Sequence, residues 1–452
     1  MRDMVQDALR GHRADYVEIH IEEAETTAIR FRGRELEEVG RSRSLGGNVR
    51  ALVRGGWGFA SFNDVRDLRR YVELAVHQAR LVPREPLTLA PAPVIEDVVR
   101  ASARKDVRGI PVDDKVALLK EYNDILWASA PLQTTATRYN DLFRRSIFAN
   151  SEGTYTEQEV LDLSAVLIAV ARKDSEVEQA FLSVGSQGDL TVLDGRQAEV
   201  EAVARRAVEL LSAPRIKGGT YTVIVDPKLA GVFVHEAFGH LSEADHVYEN
   251  PRLRELMVLG RRFGGPLLNI LDGAAVPGHR GSYAYDSEGM PAQRTYLIRE
   301  GVLVGRLHSR ETAGRMGEPP TANARSINYR YPPIVRMTNT YIEPGNTTFE
   351  QMLSGVDDGV YVKDSFGGQT SMEMFTFSAA EAFRIRKGRI EEPLRGVNLS
   401  GNVFQTLANI EAIGNDLQWS EGGGCGKGEQ APLPVAMGSP HLLIRDVVIG
   451  GG

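Results

Sequence analysis

Near the N-terminus Val17, Ile19 and Ile21 alternate with Glu18, His20 and Glu22, and Ile29 and Phe31 alternate with Arg30 and Arg32. A period of two is that of a strand with one apolar face and one wet face, so His20 is expected in solvent. Further strands are expected at 48–53 and 58–62. Asp64 then serves as N-cap of a helix whose Val65, Leu68, Val72, Ala75, Val76 and Ala79 recur at helical spacing. Pro83, Pro86, Pro91 and Pro93 mark an extended connection.

A second strand–helix region follows. Pro111 and Asp113 open a helix, strands are expected near 134–140, 146–149, 154–162 and 165–172, and Val200, Val203, Ala204, Ala207 and Leu211 stripe a helix over 196–211. Pro214 and Gly218-Gly219 make a boundary. Beyond it the chain is glycine-rich and strand-like, with hairpins turning at Glu300-Gly301 and Lys387-Gly388. The fold class read from this pattern is α+β, an N-terminal α/β region followed by a β-rich C-terminal domain that carries the chemistry. The expected division is 1–107, 108–214 and 215–452.

One helix in the third part breaks the apolar rule. The strand at 221–225 ends at Asp226-Pro227, an N-cap with proline at the first helical position. The helix that follows is apolar at Leu229, Val232, Phe233, Ala237, Phe238 and Leu241, yet it also holds His235, Glu236 and His240. Buried polar groups without partners cost several kcal/mol, on the order of 2–7. A zinc ion satisfies such a set, with imidazole nitrogens as ligands and Glu236 as the base that takes a proton from metal-bound water. Histidines five apart differ by about 140° on a regular helix and point to different faces. Both reach one ion only if the helix widens locally, as in a π-bulge. Gly239 lies inside that turn, where glycine implies irregular backbone or close packing.

Composition narrows the setting. The chain has 452 residues, 42% hydrophobic and 25% charged, which suits two or three soluble globular domains. A net charge of −7 argues against nucleic acid and anionic membranes as partners. No apolar run approaches a membrane span, and the first residues have no secretory pattern. With one cysteine no intrachain disulfide is possible, and the expected location is the cytoplasm.

That cysteine, Cys425, sits in a loop with five glycines among residues 422–428. Such a loop lets backbone approach a ligand. It is no phosphate-binding loop, because Glu421 and Gly428 stand where that motif needs glycine and Ser or Thr. The third metal ligand is therefore open between Cys425 and the local Glu243, Asp245 and His246. His246 and His308 are candidates to line the cleft as donors to a tetrahedral intermediate. Arg325 is a candidate for a peptide carboxylate, with an ordinary salt bridge as the alternative.

HEAFGH at 235–240, GSYAYDSEGMPAQRTYLIREGVLVGRL at 281–307, RMTNTYIEPG at 336–345 and the Cys425 loop resemble the TldD/PmbA metallopeptidase family, its TldD branch in particular. The resemblance spans nearly the whole chain. It implies one zinc per chain held by His235, His240 and Cys425, with Glu236 as catalytic base. It also implies hydrolysis of unfolded polypeptides or short peptides inside a two-subunit assembly, either a homodimer or a heterodimer with a sister subunit. Three other readings remain: a non-catalytic modulator subunit, a thiol peptidase with Cys425 as nucleophile, and a zinc hydrolase acting on a non-peptide amide.

Overall fold

The computed structural model describes residues 1–451 except Pro83, so that one of the four connecting prolines lies outside the described residues. The first sheet is antiparallel for most of its width. In order it holds Gly56–Phe62, Glu35–Val53, Tyr16–Arg32, Thr134–Asn150 and Tyr155–Lys173, and the last pairs with both Glu96–Val99 and Glu176–Ser186. Several strands are longer than the sequence pattern indicated. Thr134–Asn150 and Tyr155–Lys173 are each continuous, because they pair with each other from Thr134↔Val170 to Ala149↔Tyr155 and so hold one another through their polar middles. Segments on both sides of the proline-rich connection share this sheet, since Tyr16–Arg32 pairs with Thr134–Asn150.

Helices cover one face of it. Leu68–Leu81 lays Leu68, Val72, Ala75 and Val76 on Val17, Ile19, Val49 and Ala51. The helices Val112–Ser129 and Gln197–Leu210 cover the other end, around Leu119, Leu163, Leu167 and Val203. Asp64 caps a short 3₁₀ turn, and Asp67 caps the α-helix itself.

The opposite face is not wet. Glu18 and Glu22 are both 2% exposed and His20 is 9% exposed. The C-terminal part of the chain packs there, and the polar groups meet partners in it. Arg50 donates to Glu18 at 2.5 Å and to Glu288 at 2.8 Å. Asn48 Nδ2 donates to the Tyr329 carbonyl and Arg144 to that of Ile327. The expectation that His20 is solvated is therefore corrected: burial first, then the positive Arg144 and Arg50, push its imidazole down to about 4.

The C-terminal part is β-rich, as the α+β reading requires. Asp358–Ser371, Gly219–Val225, Leu442–Gly451, Val397–Asn402 and Met374–Arg386 pair in turn, and the last pairs back with the first, so this sheet closes on itself. A second sheet runs Val302–Leu303, Arg294–Arg299, Ile270–Gly273, Asn339–Ile342, Ala436–Ser439 and Gln418–Ser420. Both hairpin turns fall where the sequence put them, with positive φ at Glu300, Gly301, Lys387 and Gly388. No helix of the described residues is long and apolar enough to cross a membrane.

Candidate metal centre

The strand Gly219–Val225 leads through Asp226 into the helix Pro227–Val234, and the Asp226 carboxylate accepts from Leu229 N at 2.9 Å. This helix lies against Ala436–Ser439 so closely that a Cβ on Gly231 would meet the Met437 carbonyl. At His235 the helix changes. His235–Gly239 is one π turn, followed by a 3₁₀ turn at His240–Ser242. The widened turn brings the two imidazoles to one side, with ring centroids 5.4 Å apart. Gly239 answers to packing as well, because a Cβ there would run into the Met337 sulfur.

Cys425 arrives from far along the chain, on a two-stranded hairpin formed by Gly424–Lys427 and Gln430–Pro434. Its sulfur lies 3.5 Å from His240 Nε2, and one donor atom each from His235, His240 and Cys425 lie within 4.8 Å of one another. His235 is fully buried and neither of its ring nitrogens has a hydrogen-bond partner. Two nitrogens and one sulfur at this spacing suit an ion bridged by bonds of about 2.0–2.3 Å, with a coordination position left over. The orphaned His235 nitrogens show that the donor set fits a metal, since a buried polar group without a partner is otherwise a net cost.

The surroundings fix the charges. Burial pushes the Cys425 thiol up, but the His235 and His240 imidazoles outweigh it and bring it down to about 4. Burial lowers His240, and its bonds to Cys425 and Glu243 reverse this and raise it to about 10. Cys425 is thus a thiolate ready to ligate. Glu243, fully buried, accepts from His240 Nδ1 at 3.0 Å, which turns Nε2 toward the sulfur. Burial raises the Glu243 carboxyl, and Lys427 and His240 overcome that and hold it at about 2.

Of the local alternatives for the third ligand, Asp245 is occupied: both its oxygens take Lys427 Nζ, at 2.7 and 2.8 Å. Glu243 shares its Oε2 between His240 and Lys427 and leaves Oε1 buried without a partner, but it is not among the donor atoms that converge with His235 and Cys425. His246 lines the cleft, whereas His308 does not. His308 is buried, and its two nitrogens meet Thr312 and Glu318. Arg325 donates to the carbonyls of Met337 and Pro434 and has no acidic side-chain partner among the described residues.

The centre opens on a cavity of about 1000 Å³, lined by Glu236, His240, His246 and Asn250, by Gly368–Met372 of a barrel hairpin and by Gly426–Gly428. Glu236 is the acidic group nearest the ring on that side, with its carboxylate 3.8 Å from His240 Nε2 and its side chain 26% exposed. Lys427 and Glu243 were not singled out as a supporting pair from sequence. Asp245 and Lys427 are 182 positions apart, so no local charge pattern signals the pairing until the hairpin folds over.

Comparison with known proteins adds the following. Models of the PmbA/TldA metallopeptidase match in three segments: domain 1 at 17–79, the central domain at 105–213 and the C-terminal domain at 218–451. A metalloprotease of Synechocystis sp. is 50% identical over 441 residues, 97% of this chain and 95% of that protein. A zinc metalloprotease TldD homolog of Saccharolobus solfataricus is 32% identical over 316 residues, covering 69% of this chain and 70% of its own. Among solved structures, TldE from Thermococcus kodakarensis superimposes with a TM-score of 0.77 at 19% identity, with full coverage of both chains. A putative modulator of a DNA gyrase from Thermotoga maritima gives 0.78 at 20% identity, covering 96% and 95%. At these identities the two structures speak for the fold.

Proposed function

The chain belongs to the TldD/PmbA metallopeptidase family, and from that membership we propose that it is a zinc peptidase of the His-Glu-x-x-x-His type acting on unfolded polypeptides or short peptides. The observation that carries the ligand set is His235, buried with both ring nitrogens unpartnered beside Cys425 and His240. We assign His235, His240 and Cys425 as ligands of one zinc per chain. The ion, when bound, supplies a Lewis acid that polarises the scissile carbonyl and acidifies water.

The protein's own groups divide the remaining work. Glu236 faces the open cavity and serves as the base that accepts a proton from the attacking water and passes it to the leaving amine. Glu243 holds the His240 tautomer, and Lys427 holds Glu243. The strand Asp358–Ser371 pairs with Gly219–Val225 only as far as Val362. Beyond that point its outer edge has no strand partner among the described residues, and Gly368–Met372 line the cavity. That edge favours extended chains bound by main-chain pairing with little sequence preference. A substrate complex without such a ladder would sink this part of the reading. A two-subunit assembly, with a second copy or a sister chain, belongs to the same proposal and rests on family membership.

The thiol-peptidase reading draws on the lowered Cys425 thiol. Against it, Cys425 is 2% exposed and does not line the cavity. The deciding experiment is metal content per chain on protein purified without added metal or chelator, for wild type and Cys425→Ala, followed by peptide cleavage with and without chelator. About one zinc in wild type, sharp loss in the variant and chelator-sensitive cleavage are expected. Cleavage that survives complete metal removal overturns the zinc reading in favour of the thiol.

A further inference from the structure

Cys425 is separated in sequence from the two histidines and lies in a glycine loop, so something must hold it in place. The carbonyls of Glu421 and Gly423 both accept from Arg280 Nη1, at 2.6 Å each. The other side of the same guanidinium forks onto Asp162, with Nε to Oδ1 at 2.6 Å and Nη2 to Oδ2 at 2.8 Å. The Arg280 side chain is 5% exposed and that of Asp162 is 13% exposed. The Arg280 backbone adds a bond from its N–H to Glu421 Oε2 at 3.1 Å, and His279 meets Glu421 Oε1 at 2.8 Å. Arg280 is itself anchored, because Gly281 N donates to Asn339 Oδ1 at 3.0 Å.

Asp162 lies on Tyr155–Lys173 of the first sheet, outside the barrel that carries the histidines. The neighbouring strand Glu176–Ser186 presses on the same loop. A Cβ on Gly422 would fall on Ser183, and a Cβ on Gly185 would fall on the Glu421 carbonyl. The glycines at these two positions thus record a close approach of two backbones, not a flexible linker. The first sheet and Arg280 together grip the loop from both sides just ahead of Cys425.

We propose that Asp162 and Arg280 form a positioning pair that holds the 421–424 segment, and through it sets Cys425 against the two imidazoles. Metal affinity thereby depends on how the first sheet docks. Without the Asp162 carboxylate, Arg280 becomes a buried cation lacking its counter-charge and turns away, which releases both loop carbonyls. A loop rich in glycine then regains conformations in which the sulfur leaves the centre. Arg336, which donates to the Cys425 carbonyl at 2.7 Å and the Gln430 carbonyl at 3.0 Å, keeps the hairpin attached, so the loss is one of position and not of fold. The inference rests on Cys425 being a ligand.

The test uses the full chain as wild type, Asp162→Ala, Asp162→Glu, Arg280→Lys and Cys425→Ala. Two readouts are followed: the thiolate-to-cobalt charge-transfer absorption on adding Co²⁺, and the rate of thiol alkylation in metal-free protein. Zinc affinity is measured by competition with a chelator. Asp162→Ala is expected to weaken zinc binding about 10–100-fold, reduce the charge-transfer band and speed alkylation, with Asp162→Glu restoring part of each. Arg280→Lys, whose compact ammonium lacks the planar fork that reaches two carbonyls on one side and a carboxylate on the other, is expected to shift all three the same way, and it decides the matter if Asp162→Ala does not fold. Wild-type affinity, band and alkylation rate in a folded Asp162→Ala or Arg280→Lys variant overturn the positioning role. A wild-type protein that binds Co²⁺ without the charge-transfer band, and as tightly as Cys425→Ala, instead overturns Cys425 as a ligand. The alkylation rates then still report whether the pair holds the loop.

Discussion

On the inner face of the first sheet, buried charges answer one another. Arg50 bonds Glu18 and Glu288, Tyr16 donates to Glu18 at 2.8 Å, and the Glu288 carboxylate also accepts from Arg310 N at 2.8 Å. At the candidate metal centre His235 is just as deeply buried, and both of its nitrogens are left without a partner. The two regions have similar burial and opposite satisfaction. Buried polar groups that close on themselves hold two parts of the chain in register. Buried polar groups that converge and stay open are arranged for something the chain does not itself contain. Burial alone does not mark a functional site; what sets His235 apart is that its unpartnered nitrogens converge with the donor atoms of His240 and Cys425.

The largest expected effect falls on the open set. Glu236→Gln should lower kcat by about 10²–10⁴-fold with zinc content unchanged, which steady-state kinetics beside metal analysis will show. His235→Leu should take activity to background by losing the metal. It should leave the stability of metal-free protein unchanged or slightly higher, because it removes unsatisfied buried donors. A marked loss of stability in the metal-free variant would mean that His235 is an ordinary satisfied core residue and would erase the contrast.

The closed network should behave the other way. Arg50→Met leaves Glu18 and Glu288 buried without their cation, and denaturant unfolding should register a loss of about 3–5 kcal/mol. Next in size is the response to metal. Zinc at about a thousand times its Kd should stabilise wild type by about 4 kcal/mol, and Arg50→Met by the same increment. His235→Leu should gain almost nothing. Equal stabilisation of all three proteins would place the metal elsewhere.

The smallest effect concerns pH. His20 has its folded value pushed from 6.5 to about 4, chiefly by burial. Between those values the unfolded chain binds the proton that the folded chain refuses, so His20 contributes stability that is present above about 6.5 and is lost as pH falls toward about 4. His20→Gln should therefore flatten the fall in melting temperature over that window relative to wild type. Glu22, which burial pushes upward, acts in the opposite sense and is common to both proteins. An unchanged slope would show that His20 is hydrated and that the interface is wetter than its contacts indicate.

Much of the architecture was legible because it is local. The helix start at Asp226-Pro227, the turns at Glu300-Gly301 and Lys387-Gly388 and the stripe of Leu68, Val72 and Ala75 depend on capping, positive φ and periodicity, which neighbouring residues dictate. The five-residue spacing of His235 and His240 also foretold the π turn, since only a widened helix lets both rings share a side. Alternation in Glu18, His20 and Glu22 misled for a physical reason. It reports that one face is polar, and polarity cannot tell water from a buried partner elsewhere in the chain. The full length of Thr134–Asn150 was missed because its polar middle is held by a neighbouring strand and not by its own apolar pattern, whereas Glu176–Ser186 does carry an alternation of buried Ala180, Leu182 and Val184 that could have found it.

By itself, then, the sequence determined the chemistry available: two imidazoles and a carboxylate on a buried turn, one thiol in a glycine loop, and a net charge of −7. Only the tertiary structure decided which of these groups meet. Cys425 rather than Asp245 reaches the imidazoles because Lys427 engages the aspartate, and because Arg280, Asp162 and Arg336 fix the loop from three distant points. Contacts between residues 89 to 182 positions apart leave no periodicity in the chain, so no local pattern records them.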